Sequence, residues 1–137
     1  MEHLKLIDII YVLSDKCSEH REKHLRELRL LKAEYKGLIC MDKQREITCK
    51  EFSEKIGLSL SRGSRIIDKL YKRNYILRAD SDSDRRCKMI RLTESGKEAR
   101  NRIEKEKNKC ERKLVSAIPG NKLDQLKKGL TDLIGAL

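Results

Sequence analysis

The sequence predicts a mainly α-helical chain carrying one small β-hairpin, and three observations lead there. Apolar residues recur at helical spacing through most of the 137 residues. Aromatic residues make up only 4% and Trp is absent, so the core must be built from Leu and Ile. One stretch breaks the pattern: Ile76-Leu77-Arg78, then Asp80-Ser81-Asp82-Ser83-Asp84, then Met89-Ile90-Arg91-Leu92. Its Asp and Ser side chains bond the local backbone and favour a turn, while the apolar residues on either side read as short strands.

The elements follow in order. Leu4, Ile7, Ile10 or Tyr11, Ser14 and Cys17 share one helical face, giving a first helix over about residues 2–22. A second helix covers about residues 30–43, with Leu31, Tyr35, Leu38 and Ile39 inward. Thr48 and Glu51 form a capping box, so a short third helix starts at Cys49 and ends near Gly57. Ser59 is a good N-cap for a fourth helix over about residues 60–73, with Leu60, Ile66, Ile67 and Leu70 apolar. Asn74 fits a left-handed C-terminal position before a strand at Ile76–Arg78. After the hairpin, Thr93 caps a long helix over about residues 94–117, with Ala99, Ile103, Cys110, Leu114 and Ile118 on its inner face. Pro119-Gly120 breaks the chain, and Asn121 caps a last helix striped by Leu123, Leu126, Leu130, Leu133, Ile134 and Leu137. The short helix, the Gly57-Leu58-Ser59 turn, the basic helix and the hairpin together spell a winged helix-turn-helix. The whole chain reads as one domain, 1–137, with the winged helix over about 31–92 and dimerisation helices over about 2–22 and 94–137.

Charge narrows the partners. The formal net charge is +11, which suits nucleic acid, an acidic protein or an anionic membrane. Its location decides among them. Residues 59–91 hold ten basic and four acidic side chains, against twelve and eleven in residues 1–58. More than half of the excess therefore sits on the fourth helix and the hairpin, as a footprint for phosphates. No stretch approaches the ~20 apolar residues of a membrane span. The apolar run at the start is interrupted by Lys5 and Asp8, unlike a signal peptide, and a cytoplasmic protein without a membrane partner is expected.

The fourth helix turns Ser61, Arg62, Ser64, Arg65, Lys69, Lys72 and Arg73 away from its apolar side. Arg62 and Arg65 have the bidentate geometry that pairs with guanine, and Ser61 and Ser64 bond bases or phosphates. Lys69, Lys72 and Arg73 lie further along and suit phosphates. Ser59 completes the expected helical contact set. A thin ribbon tipped with Asp84, Arg85 and Arg86, with Lys88 on its return strand, suits the negative potential of the minor groove.

This order of elements resembles the MarR family of bacterial and archaeal transcriptional regulators. The resemblance is carried by residues 47–59, by Ile66-Ile67-Asp68-Lys69-Leu70, by Asp84-Arg85-Arg86 and by Leu92-Thr93-Glu94-Ser95-Gly96. It implies that Arg86 enters the minor groove while Asp84 steadies it. It also implies an obligate homodimer built from the terminal helices, a pseudo-palindromic double-stranded operator and often a small phenolic or lipophilic effector. Two positions depart from the family pattern. Gly63 stands where an apolar residue such as Val is usual, and Asn74 replaces a Gly before the wing.

The function expected is therefore a sequence-specific DNA-binding regulator, most readily a repressor relieved by an effector, and not an enzyme. No cofactor is expected. An effector pocket is expected near Tyr11, Tyr35 and Leu38, for a small amphipathic anion. Two alternatives are a winged-helix adaptor that binds protein instead of DNA and a metal- or thiol-responsive variant of the regulator. Cys17, His20 and His24 lie at i, i+3 and i+7, a spacing open to Zn(II) or Cu, although an unliganded helix face is the simpler reading. The five cysteines form no C-x-x-C pair, which argues for reduced thiols. Cys40 and Cys110 sit on apolar stripes, whereas Cys49 at a helix start and Cys87 on the wing are the better redox candidates.

Overall fold

The computed structural model describes residues 3–80 and 88–137. Its elements are α1 (Leu6–Leu28), α2 (Lys32–Cys40), β1 (Ile47–Thr48), α3 (Cys49–Lys55), α4 (Leu60–Lys72), β2 (Ile76–Asp80), β3 (Lys88–Leu92), α5 (Glu94–Ser116) and α6 (Leu123–Ala136). They group into two compact units, Met1–Ile103 and Glu104–Leu137, and α5 runs from the first into the second.

α1 continues to Leu28, beyond the end near residue 22 that periodicity suggests. Nothing between Ser18 and Leu28 breaks a helix, since that segment has no Gly or Pro. Arg29 stops it by entering the left-handed region at φ 55°. Its N–H then donates to Arg26 and Leu25 carbonyls, and the Leu30 N–H reaches the Leu25 carbonyl at 3.0 Å, closing the helix end. This turn buries Leu25 and Leu30. α2 is accordingly shorter than the expected 30–43. Leu31 is its N-cap and faces solvent instead of the core, with its N–H held by Glu34 Oε1 at 3.1 Å. At the other end Met41 is extended and fully buried, which draws the chain out of the helix.

β1 was not legible, because two residues show no periodicity. It pairs Ile47 with Ile90 and Thr48 with Met89, making a three-stranded antiparallel sheet in the order β1-β3-β2. β2 is longer than the expected Ile76–Arg78 and reaches Asp80, pairing Ile76 with Leu92 and Arg78 with Ile90. Alternation along the strands turns Ile47, Ile76, Ile90 and Leu92 into the core, beside Leu38, Phe52, Leu70 and Ile103.

The wing is rooted by a small lock. Asn74 takes the expected left-handed conformation at φ 62°. The Thr93 hydroxyl donates to the Asn74 carbonyl at 2.6 Å and accepts the Gly96 N–H at 2.9 Å. The Thr93 N–H bonds the Tyr75 carbonyl at 3.0 Å. A Cβ on Gly96 would stand 2.0 Å from that same carbonyl, so only glycine lets α5 start here. Further along α5, Ala99 and Ile103 are buried as expected.

In the second unit Cys110 and Ile118 are half-buried, but Leu114 is exposed. α6 begins after Lys122, which takes the N-cap position in place of the expected Asn121 and makes no side-chain cap bond. Its stripe Leu126, Leu130 and Ile134 is exposed. Among the described residues no helix is long and apolar enough to cross a membrane.

Gly96→Ala should lower stability by about 1–3 kcal/mol, because the added methyl displaces α5 from the Tyr75 carbonyl. Helix propensity alone would predict a gain of about 1 kcal/mol. Denaturant midpoints decide between the two signs.

Candidate nucleic-acid interface

α4 is shaped by its two faces. Its cap is the Ser59 hydroxyl, which accepts the Arg62 N–H at 3.2 Å. Gly63, Ile66, Ile67 and Leu70 are buried on one side. Ser61, Arg62, Arg65, Lys69 and Lys72 are exposed on the other. Leu60, expected on the apolar side, is 55% exposed; burial along α4 begins at Gly63.

Gly63 explains its own departure from the family pattern. A Cβ there would lie 1.8 Å from Ser53 Oγ and 2.6 Å from Ser53 Cβ. Ser53 is itself fixed, donating its hydroxyl to the Cys49 carbonyl at 2.8 Å. The glycine therefore serves the close approach of α4 to α3, on the side away from the basic face.

Besides the capping Ser59, two more of the expected contact residues are engaged within the fold. Ser64 is half-buried and donates its hydroxyl to the Leu60 carbonyl at 2.8 Å. Arg73 is the C-cap of α4 and turns inward. Its Nη1 lies 3.1 Å from Glu34 Oε2, its Nη2 donates to the Arg29 carbonyl, and its guanidinium sits 5.7 Å from the Tyr75 ring centre. Glu34 is buried, and this pair satisfies its charge.

A further interaction was missed in the sequence. Arg78 on β2 pairs with Asp68 on α4 at 2.7 Å and lies over the Tyr71 ring at 4.1 Å. It fastens the base of the wing to the basic helix. The available signal was Asp68, the sole acidic residue within α4. Lys88 opens β3, whereas Asp84, Arg85, Arg86 and Cys87 lie outside the described residues.

The expected effector residues are not brought together as a lining. Leu38 is fully buried in the core and presents no surface to a ligand, because α2 packs it inward. Tyr35 is half-buried against the core, and Tyr11 is 62% exposed on α1. A recess of about 70 Å³ is lined instead by Ser18, Arg21, Glu22, Leu25 and Lys32. The Cys17, His20 and His24 set is divided too: Cys17 and His20 are exposed, while His24 is buried with Nδ1 3.9 Å from Glu27. Among the described residues no cluster of His, Cys, Asp or Glu is placed to hold a metal ion.

The thiols differ in environment. Burial raises the Cys40 pKa above its ordinary value, outweighing Lys55, Arg100 and a backbone hydrogen bond that lower it. Its Sγ donates to the Gly37 carbonyl at 3.2 Å. Cys49 is half-buried at the start of α3.

A family model described as MarR family matches residues 30–88. Transcriptional repressor MprA of Escherichia coli (strain K12) is 32% identical over 127 residues, covering 91% of this chain and 72% of that protein. HTH-type transcriptional regulator SarZ of Staphylococcus epidermidis is 28% identical over 97 residues, covering 71% of this chain and 66% of that protein. Among solved structures, a MepR–DNA complex of S. aureus aligns with a TM-score of 0.80 at 19% identity, over 98% of this chain and 100% of that one. Wild-type apo MarR from E. coli aligns with a TM-score of 0.75 at 18% identity, over 95% of this chain and 96% of that one. At those identities the structures speak for the fold, a mainly helical winged helix with a small antiparallel sheet.

Because burial disfavours the Cys40 thiolate, its alkylation at neutral pH should be slower than that of a free cysteine and should rise only at higher pH than usual. The same shift means that Cys40 contributes stability below the ordinary thiol pKa, which is lost as pH rises through the folded value. Rapid labelling of Cys40 in the native protein at neutral pH, read by mass spectrometry, would contradict this.

Proposed function

We propose, since this chain belongs to the MarR family, that α4 is a recognition helix and that its exposed face reads the major groove of an operator. The chain is a DNA-binding transcription regulator, not an enzyme. One observation carries the assignment of the surface: Ser61, Arg62, Arg65, Lys69 and Lys72 are exposed on the face of α4 opposite its buried side. The first turns of such a helix meet base edges, so Ser61, Arg62 and Arg65 specify sequence. Lys69 and Lys72 meet phosphates, which supply affinity without sequence information. Arg86, steadied by Asp84, enters the adjacent minor groove, with Arg85 and Lys88 beside it. Arg73 is assigned to the scaffold instead of the phosphates.

The regulator acts as a homodimer on a pseudo-palindromic site. Supporting this, Leu6, Ile7, Ile9, Tyr11, Val12 and Leu13 are all exposed on α1, and Leu126, Leu130 and Ile134 are exposed on α6. A helical segment apolar on every side is stable in water only when covered. The protein works in the cytoplasm as a repressor that an amphipathic anion releases. Arg21 and Lys32, which flank the recess at the end of α1, suit such a ligand. Any effector must bind the DNA-competent and released arrangements with different affinity.

Operator affinity should fall steeply with salt, at a slope of about −5 to −9 in log K against log salt for a dimer neutralising on the order of 6–10 phosphates. Arg65→Ala should relax base preference at one position per half-site, at about 1–3 kcal/mol, whereas Lys72→Ala should weaken all sequences alike. A chain that retains no genomic duplex, or binds one without salt dependence, would favour a protein-binding adaptor.

Sedimentation at micromolar concentration should give a dimer, and Leu130→Glu should abolish both the dimer and operator binding. A stable 16.0 kDa species would contradict the homodimer.

A further inference from the structure

We propose that Arg73 is a positioning residue: the joint through which the α1–α2 corner sets where the recognition helix stands. This inference rests on the DNA-binding reading of α4 and adds to it a residue that touches no DNA. The geometry is specific. One nitrogen of the guanidinium meets the Glu34 carboxylate at 3.1 Å, and another meets the Arg29 carbonyl. Glu34 belongs to α2, Arg29 ends α1, and Arg73 ends α4. Three helix ends therefore converge on one planar group.

Each partner needs the interaction. The Glu34 side chain is 5% exposed, and one of its oxygens is already occupied by the Leu31 N–H. Without Arg73 its charge would be buried and unpaired, which is strongly unfavourable. The Arg29 carbonyl is among the last of α1, where helical partners run out. The forked guanidinium reaches the two from separate nitrogens in a fixed plane, whereas the compact ammonium of a shorter lysine would have to draw both acceptors to a single nitrogen. The joint also lies next to the lock that holds the wing, since Tyr75 faces the guanidinium and its carbonyl receives the Thr93 N–H. A displacement of the end of α1 must therefore carry the end of α4 and the root of the wing with it.

The test compares Arg73→Met, Arg73→Lys, Glu34→Gln and Lys72→Met on one operator duplex, at a temperature where each variant is folded. Arg73→Met should weaken binding about tenfold while leaving the salt slope unchanged, whereas Lys72→Met should reduce the slope by about 0.9 for each phosphate it ceases to neutralise. Arg73→Lys should not restore affinity. Glu34→Gln, which touches no DNA, should weaken binding in the same way, and combining it with Arg73→Met should cost little more than either alone. Rescue by lysine with a reduced slope in Arg73→Met would make Arg73 a phosphate ligand and overturn the proposal. So would full affinity in Glu34→Gln. Amide hydrogen exchange needs no DNA and decides the case if a variant or the wild type fails to bind. Glu34→Gln should speed exchange together at Leu30 and at Arg73, Asn74 and Tyr75. A response confined to Leu30 overturns the joint, whereas a wild-type chain that binds no duplex overturns only the DNA-binding reading.

Discussion

The close approach of Gly63 to Ser53 governs the rest of the molecule's design. With no side chain at Gly63, α4 settles against α3 at a separation that even a methyl group would prevent. That packing turns Ile66, Ile67 and Leu70 into the core with Phe52 and Leu38. The opposite side of α4 must then face solvent, and its residues are Ser61, Arg62, Arg65, Lys69 and Lys72. The basic face is thus a consequence of how the helix is buried. A glycine inside a helix is unfavourable by about 1 kcal/mol, and the close approach of the two helices offsets it.

Three polar interactions then fix the surroundings of that face. Arg78 with Asp68 holds the base of the wing to the middle of α4. Thr93 ties the start of α5 to the turn that follows α4. Arg73 ties the end of α4 to the corner between α1 and α2. The last two join segments 19 and 39 residues apart in the chain, and all three end on or beside α4. Geometry for reading DNA depends on groups held rigidly by their own neighbours. Here those neighbours are arginines and a threonine whose partners are backbone carbonyls and carboxylates, and such bonds are directional where apolar packing is not. The half of α1 that carries Leu6 to Leu13 lies at the other end of a helix whose last carbonyl Arg73 holds. An event at the proposed dimer surface therefore has a physical route to the proposed DNA-reading surface.

Much of this was legible in the residues themselves. Strong local signals came through: the Thr48 and Ser59 caps, the left-handed Asn74, Ile66, Ile67 and Leu70 on the buried side of α4, and the hairpin strands. Each is set by interactions within a few residues, so periodicity and turn chemistry report it. What escaped depends on distant partners. α1 ends at Leu28 and not near residue 22 because charged residues continue a helix as readily as they leave one, and the stop is made by the left-handed Arg29 together with the burial of Leu30. β1 escaped because two residues carry no pattern. Arg73 read as a phosphate ligand because its inward partner, Glu34, lies 39 residues away in sequence. Leu38 read as a pocket residue because an apolar stripe does not say whether it lines a cavity or fills one. The same limit applies to Cys17, His20 and His24: helical spacing aligned them, but burial of His24 separates it from the other two.

The central claim is that the exposed face of α4 enters the major groove of duplex DNA. Methylation interference tests it directly, since N7-methylguanine projects into that groove. The account predicts interference at guanines in two clusters about 10 bp apart, one for each recognition helix. In Arg65→Ala, one guanine in each cluster should cease to interfere. Binding that tolerates methylation at every guanine of the retained duplex, with protection confined to the phosphates or the minor groove, would contradict it.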